Sequence, residues 1–194
     1  MKKEKGKYDT TGLTDAQIEP GSGGRVLRNR LGIKLKRVMD RIEWDEQLRS
    51  LDELTDLFGR EHRFSADDFK KMHSHWLGKI YDWAGVYRSV NMSKDGFPFA
   101  AAAQIPKLMA EFERGPLKQF TPCVFSERER VVHALAVVHV ELVLIHPFRE
   151  GNGRLARMLS TLMALQAGLP PLDFGGIKGR KKKEYFAAVQ AGMD

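Results

Sequence analysis

The chain has one cysteine, Cys123, so it can form no internal disulfide, and this suits a reducing compartment. Nowhere does an apolar run approach the roughly 20 residues that a membrane-spanning helix requires. The opening Met-Lys-Lys-Glu-Lys-Gly-Lys also lacks the apolar stretch of a signal peptide. A cytoplasmic protein with no membrane partner is therefore expected. Internal repeats and low-complexity segments are absent, which excludes solenoid and fibrous architectures. What remains is 194 residues, 42% hydrophobic and 29% charged, the balance of one well-cored globular domain.

The net charge of +7 and a pI near 9.5 favour anionic partners without choosing among nucleotide, nucleic acid, acidic protein and membrane surface. The basic run from Arg25 to Arg41 is interleaved with Val26, Leu27, Leu31, Ile33, Leu35 and Val38. That pattern reads as an amphipathic helix with a solvated face, and it disfavours a nucleic-acid groove.

Along the chain, residues 1–24 are polar and contain Glu19-Pro20-Gly21-Ser22-Gly23-Gly24, which reads as a flexible arm before a domain at 25–194. Helical spacing of apolar residues predicts two helices, or one broken helix, over Arg25–Ile42 and Leu48–Phe58. Ser65-Ala66-Asp67-Asp68 reads as an N-cap opening a helix through Phe69, Met72, Trp76 and Ile80. Tyr87–Met92 and Phe97–Phe99 flank Ser93-Lys94-Asp95-Gly96, the one hairpin signal. A helix over Ala101–Arg114 should stop at Gly115-Pro116. Ser126-Glu127-Arg128-Glu129 reads as a capping box, opening a long apolar stripe that ends at His146-Pro147. A further helix should run from about Gly153 or Arg154 to Gly168, and a last one over Lys181–Ala191. The fold class is mainly α with one short β-hairpin.

Between the two most hydrophobic helices lies His146-Pro-Phe-Arg-Glu-Gly-Asn-Gly-Arg-Leu-Ala-Arg157. Gly151 and Gly153 allow a ligand close to the backbone, and the free N–H groups of the first helical turn form an anion site. Arg154 and Arg157, three apart, share a face and can clamp phosphate oxygens. Two arginines at a helix N-terminus oppose the dipole, which points to an anion held between them. Glu150 is placed to hold a magnesium ion bridging phosphates, and His146 can act as a general base at neutral pH. Taken singly, each residue has a plainer reading: a C-cap for His146, a tight turn for Gly151-Asn152-Gly153, solvated charges for the arginines. Their concurrence within twelve residues favours a phosphate-handling site.

This segment resembles, at every defining position, the Fic family signature HPFx(D/E)GNGRxxR. The resemblance extends over about residues 25–192 and is strongest at 126–167; it implies a Fic-type helical bundle with the hairpin as a flap. It also implies a protein adenylyltransferase, moving AMP from ATP with Mg²⁺ onto a Tyr, Thr or Ser hydroxyl. By resemblance His146 takes the hydroxyl proton, Glu150 ligates Mg²⁺, and Gly151, Asn152 and Gly153 hold the α- and β-phosphates. Arg154 would support the triphosphate and Arg157 would take the γ-phosphate. Tyr185 would stand where relatives place an adenine-side aromatic, with ordinary core packing an equal alternative. Val90, Asn91, Met92, Ser93 and Lys94 would form the edge on which a target strand docks.

Many Fic proteins are restrained by a helix carrying (S/T)xxxE(G/N), and no glutamate of this chain completes that pattern. A separate antitoxin-like protein is therefore the expected inhibitor, as in toxin-antitoxin pairs. Two other readings stand beside this one: a Fic-fold transferase using UMP or phosphocholine, and a catalytically silent basic binding module.

Overall fold

The structure, a computed structural model, describes residues 17–192. Residues 1–16 of the expected arm lie outside them. Residues 17–24 fold back on the chain: Ile18 bridges Leu27, the Glu19 N–H donates to the Val26 carbonyl, and Val26 is buried.

Helix α1 runs over Lys36–Leu57 and begins eleven residues later than the apolar spacing from Arg25 predicts. Gly32, at φ +63°, turns the chain out of helical geometry, and Asn29 ties the loop by bonding the backbone of Leu27, Leu31 and Ile33. Beyond that point one unbroken helix replaces the expected pair.

Helix α2, Ala66–Leu77, starts where expected, with the Ser65–Asp68 capping box complete. The hairpin reduces to two short strands, β1 (Ser93–Lys94) and β2 (Phe97–Pro98), antiparallel with Ser93 opposite Pro98. Asp95 and Gly96 both sit at positive φ, as a two-residue hairpin turn requires.

Helix α3, Ile105–Phe112, does not stop at Gly115-Pro116. It continues through a π turn, Glu113–Leu117, into the short α4, Lys118–Phe120. The wider turn accommodates a residue that has no N–H and whose ring would otherwise meet the preceding turn.

Helix α5 covers Arg128–Ile145, with Glu127 as N-cap and no side-chain capping bond. The expected capping box at Ser126 is therefore not formed. The following α6, Asn152–Gln166, is buried on nearly every face, from Leu155 and Ala156 through Met158, Leu159, Leu162 and Met163. A helix buried on most of its sides belongs at the centre of its domain, and α6 lies against α5 there. Helix α7, Arg180–Ala191, returns against α5 and carries Val189 into the core. The architecture is thus a helical bundle with one hairpin, as the sequence predicts. Among the described residues no helix is long and apolar enough to cross a membrane.

Candidate active site

The C-terminus of α5, the N-terminus of α6, the hairpin and α7 enclose a cavity of about 430 Å³. His146, Glu150, Gly151, Asn152, Gly153, Arg154, Arg157 and Tyr185 all line it, and so do Met92 and Lys94 from the hairpin. The docking stretch divides: Val90 is buried, and its carbonyl accepts from Arg88, so it cannot belong to an open edge. Asn91 is exposed but accepts through Oδ1 from the Ala102 N–H.

His146 caps α5 in left-handed geometry, φ 52° and ψ 57°. Its Nδ1 lies 3.0 Å from the Val143 carbonyl, which can only accept, so Nδ1 carries the proton and Nε2 a free lone pair. Burial pushes its pKa down to about 4, with Arg88 and Lys94 adding to the effect against Val143 and Glu150. The imidazole is therefore neutral, and able to accept a proton, across the physiological range. Phe99 stacks on it at 3.6 Å, holding the ring plane.

Buried Arg88, which the sequence reading passed over, anchors this arrangement. Its guanidinium donates to the carbonyls of His146 (2.7 Å), Val90 (2.5 Å) and Ala100 (2.5 Å). One side chain thus joins the α5 terminus to the root of the hairpin. Nothing in the local pattern around Arg88 marked it.

At the start of α6, Gly151 is fixed at φ +83°, and a Cβ there would lie 2.7 Å from the Trp76 ring. Glycine is obligatory at that position for packing and for conformation alike. Gly153 differs: a Cβ would meet only Arg157 Nη1, at 3.6 Å. Packing gives no reason for glycine there, and the backbone at this position is open to the cavity.

Asn152 is buried and faces its own loop, accepting from the Phe148 N–H at 2.8 Å and donating to the Phe148 carbonyl at 2.7 Å. Its oxygen and one of its two amide N–H bonds are thus committed to the turn, while the residue also lines the cavity. The backbone N–H groups of Asn152, Gly153 and Arg154 have no acceptor among the described residues, which leaves them able to receive an anion.

Arg154 donates to buried Glu43 at 2.6 Å and lies 3.3 Å from Glu150, over the Trp76 ring. Glu43, also held by the Tyr81 hydroxyl, was legible as the charged residue on the buried face of α1, between Met39 and Leu54. Arg157 has no carboxylate within ion-pair distance among the described residues; burial holds its pKa below the usual range, and Tyr185 and Phe174 are its neighbours. A half-buried guanidinium with no counter-ion, beside unpaired helix N–H groups, is built to receive an anion.

His73 completes the frame. Fully buried and pushed down to about 4 by desolvation, it accepts from the Gly85 N–H through Nδ1 and donates through Nε2 to the Glu150 carbonyl. It also stacks on Phe148, at 4.0 Å. The turn that carries the cavity residues is therefore pinned from α2.

Glu150 is 44% exposed at the cavity edge, with Oε1 engaged by Gly151 and Arg154. A single carboxylate suits a Mg²⁺ ion held largely by substrate phosphates and water, and among the described residues no cluster of three or more acidic, His or Cys ligands offers a cage.

The sequence profile of the Fic/DOC family matches residues 63–164. The chain is similar to the protein adenylyltransferase VbhT of Bartonella schoenbuchensis, 34% identical over 169 residues, which is 84% of this chain and 33% of that protein. It spans about a third of the length of several curated relatives it matches. Among solved structures, the BepC protein of Bartonella tribocorum with bound AMPPNP superposes with a TM-score of 0.75 at 23% identity, covering 93% of this chain and 90% of that one. The N-terminal Fic domain of a VirB-translocated Bep effector from Bartonella quintana, with bound ADP, gives 0.69 at 28% identity, with 85% and 82% covered.

Proposed function

We propose that this chain, which belongs to the Fic/DOC family, is a protein adenylyltransferase that moves AMP from ATP to a side-chain hydroxyl of a target protein. One observation carries the reading. A neutral imidazole with its Nε2 lone pair free stands in the same cavity as three unpaired helix N–H groups and an uncompensated arginine.

The nucleotide phosphates lie on the N–H groups of Asn152, Gly153 and Arg154, with the γ-phosphate on Arg157. Arg154, held by Glu43, supports the triphosphate from the other side. A Tyr, Thr or Ser hydroxyl of the target attacks the α-phosphorus as its proton passes to Nε2 of His146. The bond from that phosphorus to the β-bridging oxygen breaks, and pyrophosphate leaves. Glu150 would hold Mg²⁺, which supplies charge neutralisation on the phosphates. The target backbone lies along β1, beside Met92, Ser93 and Lys94.

A separate inhibitor protein would act by setting a carboxylate on Arg157, competing with the γ-phosphate. AMP, and not UMP or phosphocholine, is favoured by the names of the relatives and by the nucleotides bound in their structures.

The test is mass spectrometry of native host lysate incubated with ATP and the wild-type protein or His146→Ala. The expected result is a mass gain of one AMP on a hydroxyl residue with wild type, and a loss of about 10²-fold or more in rate with His146→Ala, at unchanged melting temperature. A different added group, or full activity in the variant, refutes the reading.

A further inference from the structure

Buried His139, on α5, lies away from the reacting end of the cavity, yet its hydrogen bonds run toward Arg157. Ser160 Oγ donates to the Ala156 carbonyl at 2.9 Å, so it can only accept from His139 Nδ1, 2.9 Å away. The Ala156 carbonyl itself lies 3.3 Å from the same nitrogen. Both neighbours are acceptors there, so Nδ1 carries the proton and Nε2 the lone pair. Desolvation pushes this imidazole down to about 4, which keeps it neutral.

Nε2 must then accept from the Tyr185 hydroxyl, at 2.6 Å. With its only proton committed to His139, the phenol keeps an acceptor lone pair for a further donor, and the Arg157 guanidinium stands beside it on the same cavity, near enough to perturb its titration. Three helices contribute to this chain of contacts: α5, α6 and α7. Phe174 stacks on His139 and lies 5.9 Å from the Arg157 cation, walling the group from the side.

We propose that Tyr185 and His139 are positioning residues that orient the Arg157 guanidinium toward the cavity, and thereby set the preference for a nucleotide with a terminal phosphate. This inference rests on the reading of Arg157 as the receiver of the γ-phosphate. It gives Tyr185 a role through its hydroxyl, distinct from an adenine-side contact through its ring.

The test compares binding of a non-hydrolysable ATP analogue, ADP and AMP by calorimetry, in the wild type and in Tyr185→Phe, which keeps the ring. Tyr185→Phe is expected to weaken the ATP analogue about 3- to 10-fold, the worth of one hydrogen bond, and to leave ADP and AMP within about twofold. KM for ATP should rise by a like factor with a smaller change in kcat. Added to Arg157→Ala, it should cause no further loss. His139→Leu should reproduce the loss, and His139→Gln, whose carbonyl reaches close to the Nε2 position, should recover part of it. If Tyr185→Phe fails to fold, the His139→Gln and His139→Leu comparison decides alone.

Equal weakening of all three nucleotides overturns the proposal in favour of a ring contact, and unchanged binding overturns it outright. If Arg157→Ala discriminates ATP from ADP but Tyr185→Phe does not, only this proposal falls. If Arg157→Ala does not discriminate, the γ-phosphate reading falls and takes the proposal with it.

Discussion

Acidification from pH 7.5 to pH 5.5 should destabilise this protein through its buried histidines. His73, His139 and His146 are each pushed from 6.5 down to about 4 by burial. In the unfolded chain the same imidazoles titrate near 6.5, so between the two values the unfolded state binds more protons. Stability is therefore full above the unfolded value and is lost as pH falls toward the folded one. Integrating from pH 7.5 to pH 5.5 gives about 1.3 kcal/mol for each histidine and about 4 kcal/mol for the three. That is a large part of an ordinary domain's stability of about 5–15 kcal/mol. Glu141, raised by burial, works in the opposite direction, one group against three. Asp68 is lowered, so its contribution is lost only below this window. Urea unfolding followed by circular dichroism at a series of pH values measures the loss directly. A stability constant to within about 1 kcal/mol over that range would refute the view of these imidazoles as dry and neutral.

Three further outcomes follow from the same geometry. With His146 near 4 in the free enzyme, kcat/KM for AMP transfer at pH 6 should stay within about 1.5-fold of its value at pH 7.5, where a free imidazole would lose about fourfold; a pH–rate profile decides. Gly151→Ala places a Cβ 2.7 Å from Trp76 at φ +83°, so thermal unfolding should show a loss of about 2–4 kcal/mol. Arg88→Lys replaces a fork serving three carbonyls with a compact ammonium, and should cost about 1–3 kcal/mol while lowering kcat more than it raises KM for ATP.

The elements and the chemistry of residues 146–157 were legible because both rest on local patterns. Helical spacing marked α2, α5, α6 and α7, and the glycines and arginines marked an anion site. Where local signals failed, a longer-range effect had won. Asn29 and Gly32 hold a loop where apolar spacing suggested helix, and a π turn carries the chain past Pro116. Asn152 also braces its own turn through Phe148, a contact that the motif spacing alone does not reveal. Arg88 and His73 act through backbone carbonyls 58 and 77 residues away, which no spacing along the chain reveals. Tyr185 could be placed on a helix, but the neighbours of its hydroxyl come from two others.

The tie between Arg88, Phe99 and His146 has a consequence for selecting a target. Because the hairpin root and the imidazole are fastened to one another, the edge of β1 stands at a set distance from Nε2. Side chains on one face of an added strand recur about every 6.8 Å. A target strand on that edge, as proposed, would bring one residue to His146, and the next candidate on that face would be a full repeat away. On the proposed mechanism the hydroxyl would then be chosen by its register along the backbone and by the reach of its side chain, since the tyrosine hydroxyl stands farther from Cα than that of serine or threonine. A peptide shifted by one residue would present the wrong face altogether.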